Sequence, residues 1–127
     1  MKEFLSSLLF FSFYTAPLSL YLVYQDQAVP ALDVSASYDA ETQKGAIFLV
    51  NRGLTEAVTT EIVWQDGNEV CFDKAWELTG NDPKEVNSWD APNQLAARAI
   101  GVPQIDNGRS TISLPPLSFT VLTTRTV

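Results

Sequence analysis

A chain of 127 residues and 14.0 kDa has room for one domain with its own core, and its 46% apolar and 18% charged residues mark it as globular rather than disordered. Its net charge is −7 and its eight basic residues are scattered, so it lacks the clustered Lys and Arg that displace counterions from phosphates, which excludes a nucleic-acid surface. The absence of histidine and the single Cys71 exclude Ser-His-Asp and Cys-His catalysis, histidine-held metals and any intrachain disulfide, and no cofactor or metal is expected.

Residues 4–24, FLSSLLFFSFYTAPLSLYLVY, form a run of 21 uncharged residues, long enough for a membrane span or a signal peptide. Lys2 is offset by Glu3, Pro17 interrupts the run, five Ser or Thr residues dilute it, and no small-x-small cleavage site follows Leu18. A signal or anchor segment would make the protein secreted or membrane-associated. An altered start is a further reading, and apolarity alone does not choose between them. We treat residues 1–28 as a separate apolar segment and residues 29–127 as the domain proper.

From Ala31 the pattern is β. In Leu32 to Tyr38, LDVSASY, Leu32, Val34, Ala36 and Tyr38 alternate with polar residues, the period of a half-buried strand. The polar DAETQKG turns the chain into AIFLVNR (Ala46 to Arg52), nearly continuous in apolar residues as expected of a central strand covered on both faces. AVTTEIVWQ (Ala57 to Gln65) places Thr60, Ile62 and Trp64 on one face, and Asp66-Gly67-Asn68 is a hairpin-turn signal. In EVCFDKAWELTG (Glu69 to Gly80), Val70, Phe72, Trp76 and Leu78 are expected to alternate inward, with Cys71 a small, half-buried structural residue.

A long Asn-, Asp- and Pro-rich loop follows from Asn81 to Pro92, and residues 94–102 fit a short strand or a helical turn. Asp106-Asn107-Gly108 is a second tight turn, leading to STISL, the break Pro115-Pro116, and the closing strand LSFTVLTT. Six or so short strands separated by turns predict an all-β antiparallel β-sandwich, jelly-roll-like.

Glycoside hydrolysis needs two carboxylates across the scissile bond, and fifteen acidic residues supply no recognisable pair. Glu56 and Glu61 read as the outward side of a strand, and Asp66 and Asp106 as turn residues. Of the three tryptophans, Trp64 and Trp76 fall on inward phases and are expected in the core. Trp89, in the loop NSWDAPN, is the candidate for contact with a sugar or with a neighbouring domain. Asn87 and Asn93 are expected to brace that loop through backbone hydrogen bonds.

The segments VNR, AWELTG, DPKEVNSW and LPPLSFTVL occur in this order between Val29 and Arg125, and together they resemble the C-terminal domain of family 51 glycoside hydrolases, the α-L-arabinofuranosidases. The stretch LLFFSFY (Leu8 to Tyr14) is similar to that family's last barrel helix, which implies a helix there and a cytoplasmic protein; the basic residue usual after the Ser is replaced by Phe13. The resemblance implies a non-catalytic sandwich whose partner is a catalytic (β/α)8 barrel. The parent enzyme would release terminal α-L-arabinofuranosyl groups from arabinose-containing polysaccharides or oligosaccharides. The family's catalytic glutamates lie on the barrel and have no counterpart here. Separated from the barrel, the chain is expected to leave an edge or apolar face exposed and to form homo-oligomers or dissolve poorly. The alternative is a stand-alone carbohydrate-binding module.

Overall fold

The computed structural model of the protein describes residues 3–7, 11–16, 21–65 and 69–127. Its elements are β1 (Glu3–Ser7), β2 (Phe11–Ala16), β3 (Tyr21–Tyr24), β4 (Gln27–Pro30), β5 (Leu32–Asp39), β6 (Lys44–Asn51), β7 (Val58–Trp64), β8 (Val70–Thr79), β9 (Arg98–Ile100), β10 (Arg109–Leu114) and β11 (Ser118–Thr126). Among the described residues there is no helix, hence none long and apolar enough to cross a membrane. A four-stranded sheet runs β1-β2-β7-β10, a five-stranded sheet β5-β6-β11-β8-β9, and β3 and β4 form a separate ribbon. All pairings are antiparallel.

The two larger sheets pack face to face. Val58, Ile62 and Trp64 of β7 and Leu114 of β10 meet Leu32, Ile47, Leu49, Val70, Phe72, Ala75 and Leu122 of the five-stranded sheet in one buried cluster. The rings of Tyr38 and Trp64, 5.8 Å apart and tilted by 58°, bridge the layers. Thr60, Ile62 and Trp64 therefore share the inward face that their spacing predicts.

The Pro115-Pro116 break carries the chain from one sheet to the other, because β10 belongs to the four-stranded layer and β11 to the five-stranded one. Proline cannot donate to a ladder, and Leu117 beyond it takes a positive φ of 52°. The crossing is held by Asn51. Its side-chain amide donates to the carbonyls of Leu114 (3.1 Å), Pro115 (2.9 Å) and Glu56 (3.1 Å), and its Oδ1 accepts from the Gly53 N–H (2.9 Å). Asn107 and Gly108, both at positive φ (51° and 74°), make the expected tight turn, closed by reciprocal backbone bonds between Asp106 and Arg109. The ambiguous stretch 94–102 resolves as the short strand β9. The Asp66-Gly67-Asn68 turn signal, Pro17 and Leu8 to Phe10 lie outside the described residues.

Two expectations need correction. The helix implied over Leu8 to Tyr14 is not formed: Phe11 to Ala16 is a strand that pairs with β7, Phe13 opposite Ile62 and Tyr14 opposite Glu61. Three aromatics with Ser and Thr favour an extended, sheet-paired backbone over a helix. The second concerns Trp76. It is 42% exposed rather than buried, and Leu78 is only half-buried. Opposite β11, Thr123 pairs with Lys74 while Thr124 pairs with Phe72, so Asp73 is an extra residue, a β-bulge. Because side chains alternate with a period of two, one extra residue inverts the phase. Val70 and Phe72 point inward before the bulge; Ala75 and Glu77 do so after it.

Candidate docking face

The bulge decides what the outer face of the five-stranded sheet displays. The register aligns Phe48, Val121 and Trp76 in one cross-strand row and Val50, Phe119 and Leu78 in the next. Phe48 and Phe119 stack with ring centroids 6.3 Å apart and planes 20° apart. Phe119 is 39% exposed, and Phe48, Val50, Leu78 and Val121 are half-buried. AIFLVNR is thus internal to its sheet as predicted, but its outer face is only partly covered.

The second row runs into a groove of about 420 Å3. It is lined by Val50, Leu78 and Phe119 of the sheet, by Leu54 and Leu117, and by Pro83 and Leu95 of the β8–β9 loop. The lining is mostly apolar, with Arg52, Asp82 and Glu85 among the groove's residues. Leu54 is itself 59% exposed. Apolar patches of this kind mark surfaces that contact another protein, a membrane or a ligand.

The β8–β9 loop is irregular but braced. Asn87 clamps Leu95 in both directions, donating to its carbonyl (2.8 Å) and accepting from its N–H (2.6 Å). Ser88 Oγ accepts from the Ala91 N–H (3.1 Å), and the Ser88 N–H donates to the Ala91 carbonyl (3.2 Å). The Glu85 carboxylate accepts from the Asn81 N–H (3.0 Å) and the Gln94 amide (3.0 Å). The Asn81 hydrogen bond first, then that from Gln94, holds the Glu85 carboxyl below its ordinary range. Asn87 thus has the bracing role expected of it, whereas the Asn93 side chain, of which the same was expected, makes no hydrogen bond among the described residues. Trp89 stands fully exposed (101%) at the loop, beside a shallow depression of about 320 Å3 lined by Asn87, Ser88, Trp89 and Pro92.

Among the described residues, the acidic side chains singled out in the sequence have other roles. Glu61 pairs with Arg109 (3.0 Å) and Glu77 with Arg98 (3.0 Å), while Asp106 closes its turn and Glu56 is exposed ahead of β7. Asp39, like Glu85, has its carboxyl held down, first by the Thr42 hydroxyl and then by the Glu41 N–H. A general acid needs the opposite shift. Cys71 is a free, half-buried thiol on β8. Asn51 was within the quoted VNR motif; the signal of its role was one amide ending an apolar run.

The sequence profile of the α-L-arabinofuranosidase C-terminal domain matches residues 12–118. Among solved structures, a family 51 α-L-arabinofuranosidase from Bifidobacterium longum superposes with a TM-score of 0.66 at 26% identity, over 76% of this chain and 19% of that one. The GH51 arabinofuranosidase of Xanthomonas axonopodis pv. citri gives 0.70 at 21% identity, over 83% and 21%. The α-L-arabinofuranosidase of Thermotoga maritima, in complex with arabinose, gives 0.62 at 24%, over 78% and 20%; at these two identities the likeness is one of fold. The chain spans about a fifth of the length of these solved relatives. No curated protein matches it.

Proposed function

The chain belongs to the α-L-arabinofuranosidase C-terminal domain family, and from that premise we propose that it is a non-catalytic scaffold whose outer apolar face seats the (β/α)8 barrel of a family 51 enzyme. The observation that carries this reading is the pair of apolar rows, Phe48-Val121-Trp76 and Val50-Phe119-Leu78, running into the apolar groove. Covering what remains exposed of Trp76 and Phe119, roughly 80 Å2 each, is worth about 4 kcal/mol at ~25 cal/mol/Å2. That favours docking of two domains that share one polypeptide, where the cost of bringing separate molecules together does not arise. In this reading the barrel supplies both glutamates that hydrolyse terminal α-L-arabinofuranosides, and the sandwich holds the barrel in its folded shape.

A chimera tests the proposal. This chain replaces the matched segment of a solved family 51 arabinofuranosidase, and turnover of a nitrophenyl α-L-arabinofuranoside is followed. The chimera is expected to be active, and Trp76→Ser combined with Phe119→Ser to abolish activity by loosening the barrel. An inactive chimera, or one indifferent to the two substitutions, overturns the reading. Turnover by the chain alone would overturn its non-catalytic part.

A further inference from the structure

Two surface depressions of different chemistry draw residues from the β8–β9 loop. The groove over Val50, Leu78 and Phe119 is overwhelmingly apolar, whereas the depression at Trp89 is nearly half polar. Trp89 has no side-chain surface covered by the rest of the domain. Its neighbours are not the apolar ring that surrounds a protein-docking anchor but Asn87, Ser88, Asp90 and Asn93, all exposed.

From this contrast we infer that Trp89 is a stacking platform for a ring of a neutral glycan, a sugar-contact site separate from any catalytic centre. An indole face packs against the C–H face of a sugar ring, and the sugar's outward hydroxyls need hydrogen-bonding groups at the rim. Ser88, which lines the depression, and Asp90 and Asn93, its exposed neighbours in sequence, carry such groups. The Asp90 carboxylate and Asn93 amide have no partner among the described residues, and the Ser88 hydroxyl, whose oxygen accepts from Ala91, retains its own hydrogen to donate. Pro92, a rigid ring, also lines the depression. The Asn87–Leu95 clamp and the Ser88–Ala91 bonds fix the backbone on both sides of Trp89, so little ordering is left to be done on binding. Stacked bases are disfavoured because a single strand requires a basic groove, and Asp82, Glu85 and Asp90 outnumber Lys84 on this loop.

The choice of arabinose-bearing chains as probe rests on the scaffold reading above; the stacking site itself does not. The test is affinity gel electrophoresis of the full chain through soluble arabinan and, separately, an unsubstituted β-glucan, with indole fluorescence as a second readout. Retardation by either glycan is expected, with a blue shift in emission. Trp89→Ala should weaken it at least about tenfold, Trp89→Phe should keep part of it, and Val127→Ala, at an exposed apolar residue that lines neither depression, should leave it unchanged. No retardation by either glycan, or retardation that survives Trp89→Ala, overturns the inference. Binding is read on the chain alone, so a failure here leaves the chimera's activity, and the scaffold reading, standing.

Discussion

Replacing Asn51 with alanine removes the side chain that ties the end of β6 to the crossing between sheets. Four contacts go at once: the two amide hydrogens are shared among the carbonyls of Leu114, Pro115 and Glu56, and Oδ1 accepts from the Gly53 N–H. Their consequences differ. The bonds to Glu56 and Pro115 are only part-buried, so water can replace the amide there, whereas those to the Leu114 carbonyl and the Gly53 N–H are buried. Two buried orphans cost about 1–3 kcal/mol each, and the wetter pair adds a fraction of that. The sum is about 3 kcal/mol, set against a total stability of order 5–15 kcal/mol for such a domain. At a urea m value of about 1.5–2 kcal/mol/M the midpoint should fall by roughly 1.5–2 M, with m unchanged. Asn51→Asp keeps the acceptor for Gly53 but loses every donor, so it should not restore the wild-type midpoint. A fall below about 0.5 M for Asn51→Ala, measured by intrinsic fluorescence, would refute the idea that this amide holds the sheets at their crossing.

The apolar rows carry a second consequence: the isolated chain should self-associate or dissolve poorly, and Trp76→Ser with Phe119→Ser should shift it toward monomer. A sharp wild-type monomer peak in size exclusion, with cooperative melting, would sink that expectation. A third prediction concerns the β8–β9 loop. The folded Glu85 carboxyl titrates below its ordinary value of 4.5 because the Asn81 N–H and the Gln94 amide favour its charged form. A depressed carboxylate contributes stability above the unfolded pKa and loses it as pH falls through the folded one. Protection of the Asn81 amide from hydrogen exchange, corrected for the intrinsic rate, should therefore drop below about pH 4.5. In Glu85→Gln that acid step should vanish; a step of equal size in the variant would show that another group brackets the loop.

Much of the domain was legible because its strands alternate cleanly and its turns use residues with a mechanism. Leu32 to Tyr38, Thr60-Ile62-Trp64 and the Asn107-Gly108 turn are read correctly from period and φ preference. The hairpin joining β3 to β4 was not. It turns at Gln25 and Asp26, both at positive φ (49° and 63°), with no glycine to announce it. The strand at Phe11 to Ala16 was hidden because its pairing partner, β7, lies more than forty residues away, and an apolar run carries no signal of a distant edge. Trp89 could be singled out by its loop but not by its surroundings, since the polarity of the neighbouring depression depends on how Asn87 and Ser88 fold back on Leu95 and Ala91.

The bulge at Asp73 is the feature that links fold to function, and no residue in it advertises the change. Thr123 stitches the site, its hydroxyl accepting from the Lys74 N–H at 3.1 Å, while Arg125 approaches Asp73 at 3.8 Å. Were Asp73 paired in the ladder like its neighbours, so that alternation ran unbroken from Val70 to Thr79, Trp76 would lie in the core and Glu77 in solvent, the arrangement that the hydrophobic effect alone prefers. With it, an indole faces outward and a carboxylate is buried, made tolerable by the Arg98 guanidinium 3.0 Å away. A domain evolved to be stable by itself has no use for that exchange. One whose outer face is covered by a partner gains an aromatic contact from it, and the isolated fold bears the cost of a buried, paired charge. The same bulge sets Trp76 in line with Val121 and Phe48, so leaving one residue out of the ladder builds the row on which the proposed docking depends.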